Sequence, residues 1–183
     1  MTKLLKINRE GKTKLALSLL LVLYALCISI YNKTMEPIVI MLMSCFGDIN
    51  IMASRGALTG KKEDTFEAGI LFFSMAHFGY VSAMGRKPVC MIITMSAVVV
   101  IYSLINKRPS GDKLAYIPYT IALVTSAVNA WFYSYIAGIG MILFLISDLV
   151  LSIFEDKDPK WQIVIWATYV PAQILMLTAL LLQ

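Results

Sequence analysis

Apolar runs of about 17 to 25 residues, each bounded by charge, recur along the chain at the length an α-helix needs to cross a bilayer. They predict seven spans, at 14–31, 36–53, 66–83, 88–105, 114–133, 135–154 and 161–183. The fifth and sixth are separated by almost nothing, in WFYSYIAG, so a tight turn is required near Tyr133 and Ser134. The expected fold is an all-α polytopic membrane bundle of seven transmembrane helices, with residues 1–183 forming one transmembrane domain.

Charge between the spans sets the orientation. With a cytoplasmic N-terminus, one side holds Lys3, Lys6, Arg9, Lys12, Lys14, Arg55, Lys61, Lys62, Lys107, Arg108, Lys113, Lys157 and Lys160, and the other only Lys33, Arg86 and Lys87. Thirteen basic residues against three place the N-terminus inside and the C-terminus outside, and support an odd number of spans. The basic opening, MTKLLKINREGKTK, resembles the start of a signal peptide, but no small-x-small cleavage site follows, so this run reads as the first membrane helix.

Polar residues inside such spans are costly and therefore informative. Asp48 lies in the second span and Asp148 in the sixth, each seven residues from the charged flank marked by Arg55 or Glu155. At 1.5 Å per residue, both lie roughly 10 Å in from the cytoplasmic face. His77, the only histidine, and Gln173 fall nearer the midplane on the third and seventh spans. Ser74, His77 and Tyr80 stack at i, i+3 spacing, and Trp166, Tyr169 and Gln173 share a face below a bend expected at Pro171. Pro118 suggests the same for the fifth span, beside Tyr116 and Tyr119. A shift of one hundred residues carries Met41 and Asp48 onto Met141 and Asp148, an echo compatible with a 3+1+3 parallel repeat.

Composition agrees: 59% of the 183 residues are hydrophobic and 15% charged, with a mean hydropathy of +0.77. This reads as an integral membrane protein, expected in a bacterial plasma membrane. The net charge of +5 is dispersed in short clusters between apolar runs, which argues against nucleic-acid binding. Cys27, Cys45 and Cys90 all lie in apolar stretches without metal-ligand spacing, so neither disulfides nor a metal site is expected, and no cofactor signature is present. One histidine excludes the three-histidine zinc site of alkaline ceramidases and adiponectin-receptor-like hydrolases.

Two carboxyls at matched depth in a low dielectric cannot comfortably both ionise, so the pair can hold a proton at neutral pH. That is the acid/base arrangement on which glycosidases and aspartic proteases rely. His77 can orient a water or relay a proton, while Tyr80, Tyr119, Tyr169 and Gln173 can hydrogen-bond a substrate. A membrane Asp can also simply bond a serine on a neighbouring helix, a lone histidine can be a satisfied core residue, and these tyrosines can be packing. A serine nucleophile is disfavoured because Ser74 shares a helix with His77.

In their order and spacing, Gly47-Asp48, His77-x-x-Tyr80, Pro118-Tyr119, Ser147-Asp148 and Tyr169-x-x-x-Gln173 resemble the YhhN family of membrane proteins, which includes the lysoplasmalogenases. The resemblance runs from about Lys14 to the end. It implies a helical hydrolase that cleaves the vinyl ether of lysoplasmalogen to a fatty aldehyde and glycerophosphoethanolamine or glycerophosphocholine, with Asp48, Asp148 and His77 as catalytic candidates. The expected partners are a lysophospholipid substrate and membrane lipids. The family usually has eight helices and opens its second with Lys-Pro. Here Lys14-Leu15 opens the first, so the family's usual first helix is expected to be absent. Two other classes fit the same pattern: a small transporter or proton-coupled carrier, and a non-catalytic lipid-binding protein.

Overall fold

In a computed structural model, residues 9–58, 64–85, 116–154 and 160–182 are described, and these form six α-helices and no strand. They are α1 (Arg9–Asn32), α2 (Glu36–Ser54), α3 (Phe66–Ala83), α4 (Tyr116–Tyr133), α5 (Tyr135–Phe154) and α6 (Lys160–Leu181). Six predicted spans correspond to them within a few residues. The fourth, 88–105, lies outside the described residues, as do Cys90, Arg86, Lys87, Lys107, Arg108 and Lys113. Four helices, α1, α2, α5 and α6, are long and apolar enough to cross a membrane. The chain is an integral membrane protein. The other two, α3 and α4, carry the polar residues Ser74, His77 and Tyr80, and Tyr119, Ser126 and Asn129.

The turns follow from local chemistry. Lys33 adopts a positive φ of 55° to end α1, and Pro37 sits in the first turn of α2, where its missing N–H costs nothing. At the other end of α2, Gly56 has φ 72°, its N–H bonds Ala53 O, and the Ala57 N–H bonds Met52 O, which closes the helix in a Schellman motif. Ser134 alone separates α4 from α5, and its Oγ accepts the Ala137 N–H at 3.1 Å, so the predicted tight turn is a serine cap. Pro118 falls in the first described turn of α4. In α6 the helix runs through Pro171.

Each described helix packs on its neighbours in the order α1 to α6, and α6 returns to α1. The α2–α3 crossing is close because of two glycines. A Cβ on Gly47 would lie 2.7 Å from the Phe73 ring, and one on Gly69 would lie 3.2 Å from Gly47 O. His77 pairs with Ser126 and Val81 with Asn129, so α3 and α4 run parallel. By the same logic Asp48 with Tyr169 and Ser44 with Gln173 make α2 and α6 antiparallel. One end of the bundle carries Lys14, Arg55 and Gln162, and the other Asn32, whose amide bonds Leu180 O. Large apolar side chains such as Leu20, Ile30 and Ile163 are exposed, while Ser18, Ser44, Asp48, His77, Ser126, Asn129 and Gln173 are buried. That polarity suits a lipid surroundings, with polar groups satisfied inside.

Candidate active site

Asp48 is set on α2 one turn after Ser44 and is 6% exposed. Its Oδ2 accepts hydrogen bonds from Ser18 Oγ on α1 at 2.6 Å and from the Tyr169 hydroxyl on α6 at 3.1 Å. Asp148, on α5, is half-buried and accepts the Tyr119 hydroxyl from α4. Each acid therefore has its own tyrosine, and no hydrogen bond joins the two carboxyls. Each also receives a hydroxyl from the helix that precedes it: Ser18 from α1 for Asp48, Tyr119 from α4 for Asp148.

Ring contacts run from the tyrosine of one acid to the tyrosine of the other. Tyr169 packs edge-on against Phe73 at 6.1 Å and Phe144 at 5.5 Å. Phe144, one turn from Asp148, lies 4.7 Å from the His77 ring, which in turn lies 6.0 Å from Tyr119. The sequence Asp48, Tyr169, Phe144, His77, Tyr119, Asp148 is thus a continuous chain of contacts that draws on five helices. Rings in this arrangement exclude bulk water and can face a developing cation.

His77 is 1% exposed. Its Nδ1 lies 2.8 Å from Ser126 Oγ, while Nε2 is buried without a hydrogen-bond partner. Ser126 Oγ also lies 2.9 Å from Leu123 O. A serine has one hydroxyl proton; when it goes to that carbonyl, Nδ1 carries the imidazole proton and Nε2 is left as an acceptor. One turn further along α3, the Tyr80 hydroxyl donates to Gln173 Oε1 at 2.7 Å, and Gln173 Nε2 reaches Ser44 Oγ at 3.5 Å. All seven residues singled out in the sequence, Asp48, His77, Tyr80, Tyr119, Asp148, Tyr169 and Gln173, belong to this connected interior layer. Among the described residues no three His, Cys, Asp or Glu side chains converge as metal ligands would.

The family model described as the YhhN family matches residues 12–180, nearly the whole chain. The chain belongs to the YhhN family. No curated protein and no solved structure matches it.

In this YhhN protein the residues that escaped sequence reading are serines. Ser74, read as part of the histidine face, bonds Ile70 O on its own helix at 2.9 Å and takes no part. The partner of His77 is Ser126, and that of Asp48 is Ser18. The available signals were spacings: Ser126 precedes Asn129 by three on an apolar span, and Ser18 follows Lys14 by one turn. The YhhN family is lysoplasmalogenase-like.

Proposed function

We propose that this chain hydrolyses the vinyl ether of lysoplasmalogen, releasing a fatty aldehyde and glycerophosphoethanolamine or glycerophosphocholine. The observation that carries the reading is the pair of interior acids, each bound by its own tyrosine and linked through a chain of aromatic contacts, in a YhhN chain. A vinyl ether is opened by protonating the alkene carbon remote from oxygen, which yields an oxocarbenium ion. Water then adds to the carbon bearing oxygen and loses a proton, and the hemiacetal collapses to the aldehyde and a free glycerol hydroxyl. The step needs one acid to supply a proton to carbon, a carboxylate to face the cation or take the water's proton, and a dry enclosure. Asp48, with two hydroxyl donors on one oxygen, suits the carboxylate role. Asp148, with one donor and a more open setting, suits the acid role. His77 Nε2 supplies an acceptor that can orient the water, while Tyr80, Tyr119, Tyr169 and Gln173 hold the polar layer in register.

This reading takes a single-chain lysophospholipid as substrate, delivered from the surrounding bilayer, with no cofactor. The test is purified protein given the alkenyl, saturated alkyl and acyl forms of one lysophospholipid in an aldehyde-coupled assay. Only the alkenyl form should be consumed, because neither other form can be protonated at an alkene carbon. Consumption of the acyl form with release of fatty acid would replace the proposal by an esterase.

The same account takes the chain as one domain of seven spans in a bacterial plasma membrane, N-terminus inside and C-terminus outside. The parallel run of α3 and α4 supports an odd count, since the chain leaves one and enters the other at opposite ends of the bundle. The hydroxyl-to-acid bond repeated in α1–α2 and α4–α5 supports the 3+1+3 repeat. A cysteine added after Gln183 should react with an impermeant maleimide on intact cells, and one placed in 59–63 should react only after lysis. The reverse labelling would invert the orientation.

A further inference from the structure

At the Lys14 end of the bundle, two cations from different helices converge on one amide oxygen, among their other interactions. Lys14 Nζ on α1 donates to Gln162 Oε1 at 2.9 Å, and Arg55 Nη1, at the C-cap of α2, donates to the same oxygen at 3.1 Å. A lysine whose only task is to set topology extends its amine to water. Lys14 does the opposite: it is 7% exposed and turned into the bundle. The three residues also stand above Asp48. Lys14 lies one turn before Ser18, and Gln162 two turns before Tyr169, and these are the two donors to Asp48. Arg55 lies two turns beyond Asp48 itself, about 10 Å along the helix axis, a gap that its long side chain spans in part. The fork and the acid therefore share one interior column. Gln162 is in the first turn of α6, where the helix dipole also favours an anion.

We propose that Lys14 and Arg55 form the binding fork for the phosphodiester of a lysophospholipid headgroup, at the position where both reach Gln162 Oε1. Arginine and lysine donors directed at one oxygen are arranged to bind a phosphate oxygen, which as an anion is a stronger acceptor than an amide carbonyl. In a lysophospholipid only a glycerol separates the phosphate from the sn-1 linkage. A phosphate at the fork thus sets that linkage at the level of Asp48 and directs the chain toward the aromatic contacts. The inference rests on the proposed lysophospholipid reading for the class of ligand, and it adds where the headgroup is held and why the linkage falls beside an acid.

The experiment measures binding to the full chain in maltoside micelles, read by the fluorescence of Trp161 and Trp166 beside Gln162. Three probes are compared: a saturated 1-O-alkyl lysophosphocholine, the 1-O-alkylglycerol with the same chain, and soluble glycerophosphocholine. The lysophosphocholine should bind at least about tenfold more tightly than the alkylglycerol, the scale of charge-assisted hydrogen bonds to phosphate. Arg55→Gln should erase the preference and Arg55→Lys should keep part of it. Gln162→Glu is the decisive variant, because its carboxylate pairs with both cations, keeps the fold, and occupies the place of the phosphate. It should lose the preference while binding alkylglycerol as before. A folded Gln162→Glu protein that retains the wild-type preference overturns the fork, as does a wild type with no preference. Glycerophosphocholine competing as well as the whole lipid would assign the fork to a soluble phosphodiester and overturn the lipid-headgroup assignment. A clear preference in a protein that releases no aldehyde supports the fork and overturns only the hydrolysis reading.

Discussion

Asparagine in place of Asp48 or Asp148 should lower turnover of the alkenyl substrate by at least about a hundredfold, the scale on which a general acid or base contributes. The two variants keep the shape of the site, since an asparagine oxygen can still accept from Ser18 and Tyr169 at position 48, or from Tyr119 at position 148. On the proposed mechanism, what each loses is the proton that must reach carbon or the negative charge that must face the cation. Folded yield and thermal transition should therefore stay near wild type while the rate collapses. His77→Gln should cost less if, as proposed, the imidazole only orients water through Nε2. Purified variants compared by initial rate and by melting temperature decide the matter. A folded Asp148→Asn protein with near wild-type turnover would leave Asp148 a packing residue and remove the acid from the scheme.

The second large effect is on the fold. Gly47→Leu should abolish the folded protein or lower its stability by about 1 to 3 kcal/mol or more, the range for forcing atoms into a packed core. Even a Cβ at position 47 would approach the Phe73 ring to 2.7 Å. That ring cannot swing aside freely, because it is wedged edge-on against Phe144 and Tyr169. Pushing Phe73 disturbs Tyr169 and so the environment of Asp48, which links the α2–α3 crossing to the site. Gly47→Ala should show the same effect at smaller size, rescued in part by Phe73→Leu. Equal melting temperatures for Gly47→Leu and wild type in the same detergent would show that the two helices do not cross as closely as described.

The helices were legible because bilayer thickness dictates their length, so the apolar runs at 36–53, 66–83 and 135–154 coincide with α2, α3 and α5 almost residue for residue. The acids were legible because hydrocarbon penalises them, and the single histidine because nothing else in the chain resembles it. Their partners were not. A serine in a membrane helix ordinarily bonds the carbonyl one turn back, as Ser74 does, so nothing local distinguishes Ser18 or Ser126, which reach across to Asp48 and His77. Tyr119 and Tyr169 were candidates, but that each would bond one of the acids was not read. Matched depth suggested that the two carboxyls share one proton directly, whereas the rotation of α2 and α5 in the bundle directs each to a different tyrosine. Lys14 and Arg55 read as topology charges, since their convergence on Gln162 exists only once three helix ends are brought together.

The most direct test of protonation followed by water attack is a single turnover reaction in water enriched in oxygen-18, read by the mass of the glycerophospho product. The aldehyde oxygen exchanges with solvent, but the glycerol hydroxyl does not. Attack at the vinyl carbon leaves the original ether oxygen on glycerol, so that product should be unlabelled and equal in amount to the aldehyde. Oxygen-18 in the glycerol fragment, or folded protein that releases no aldehyde at all, would contradict the account.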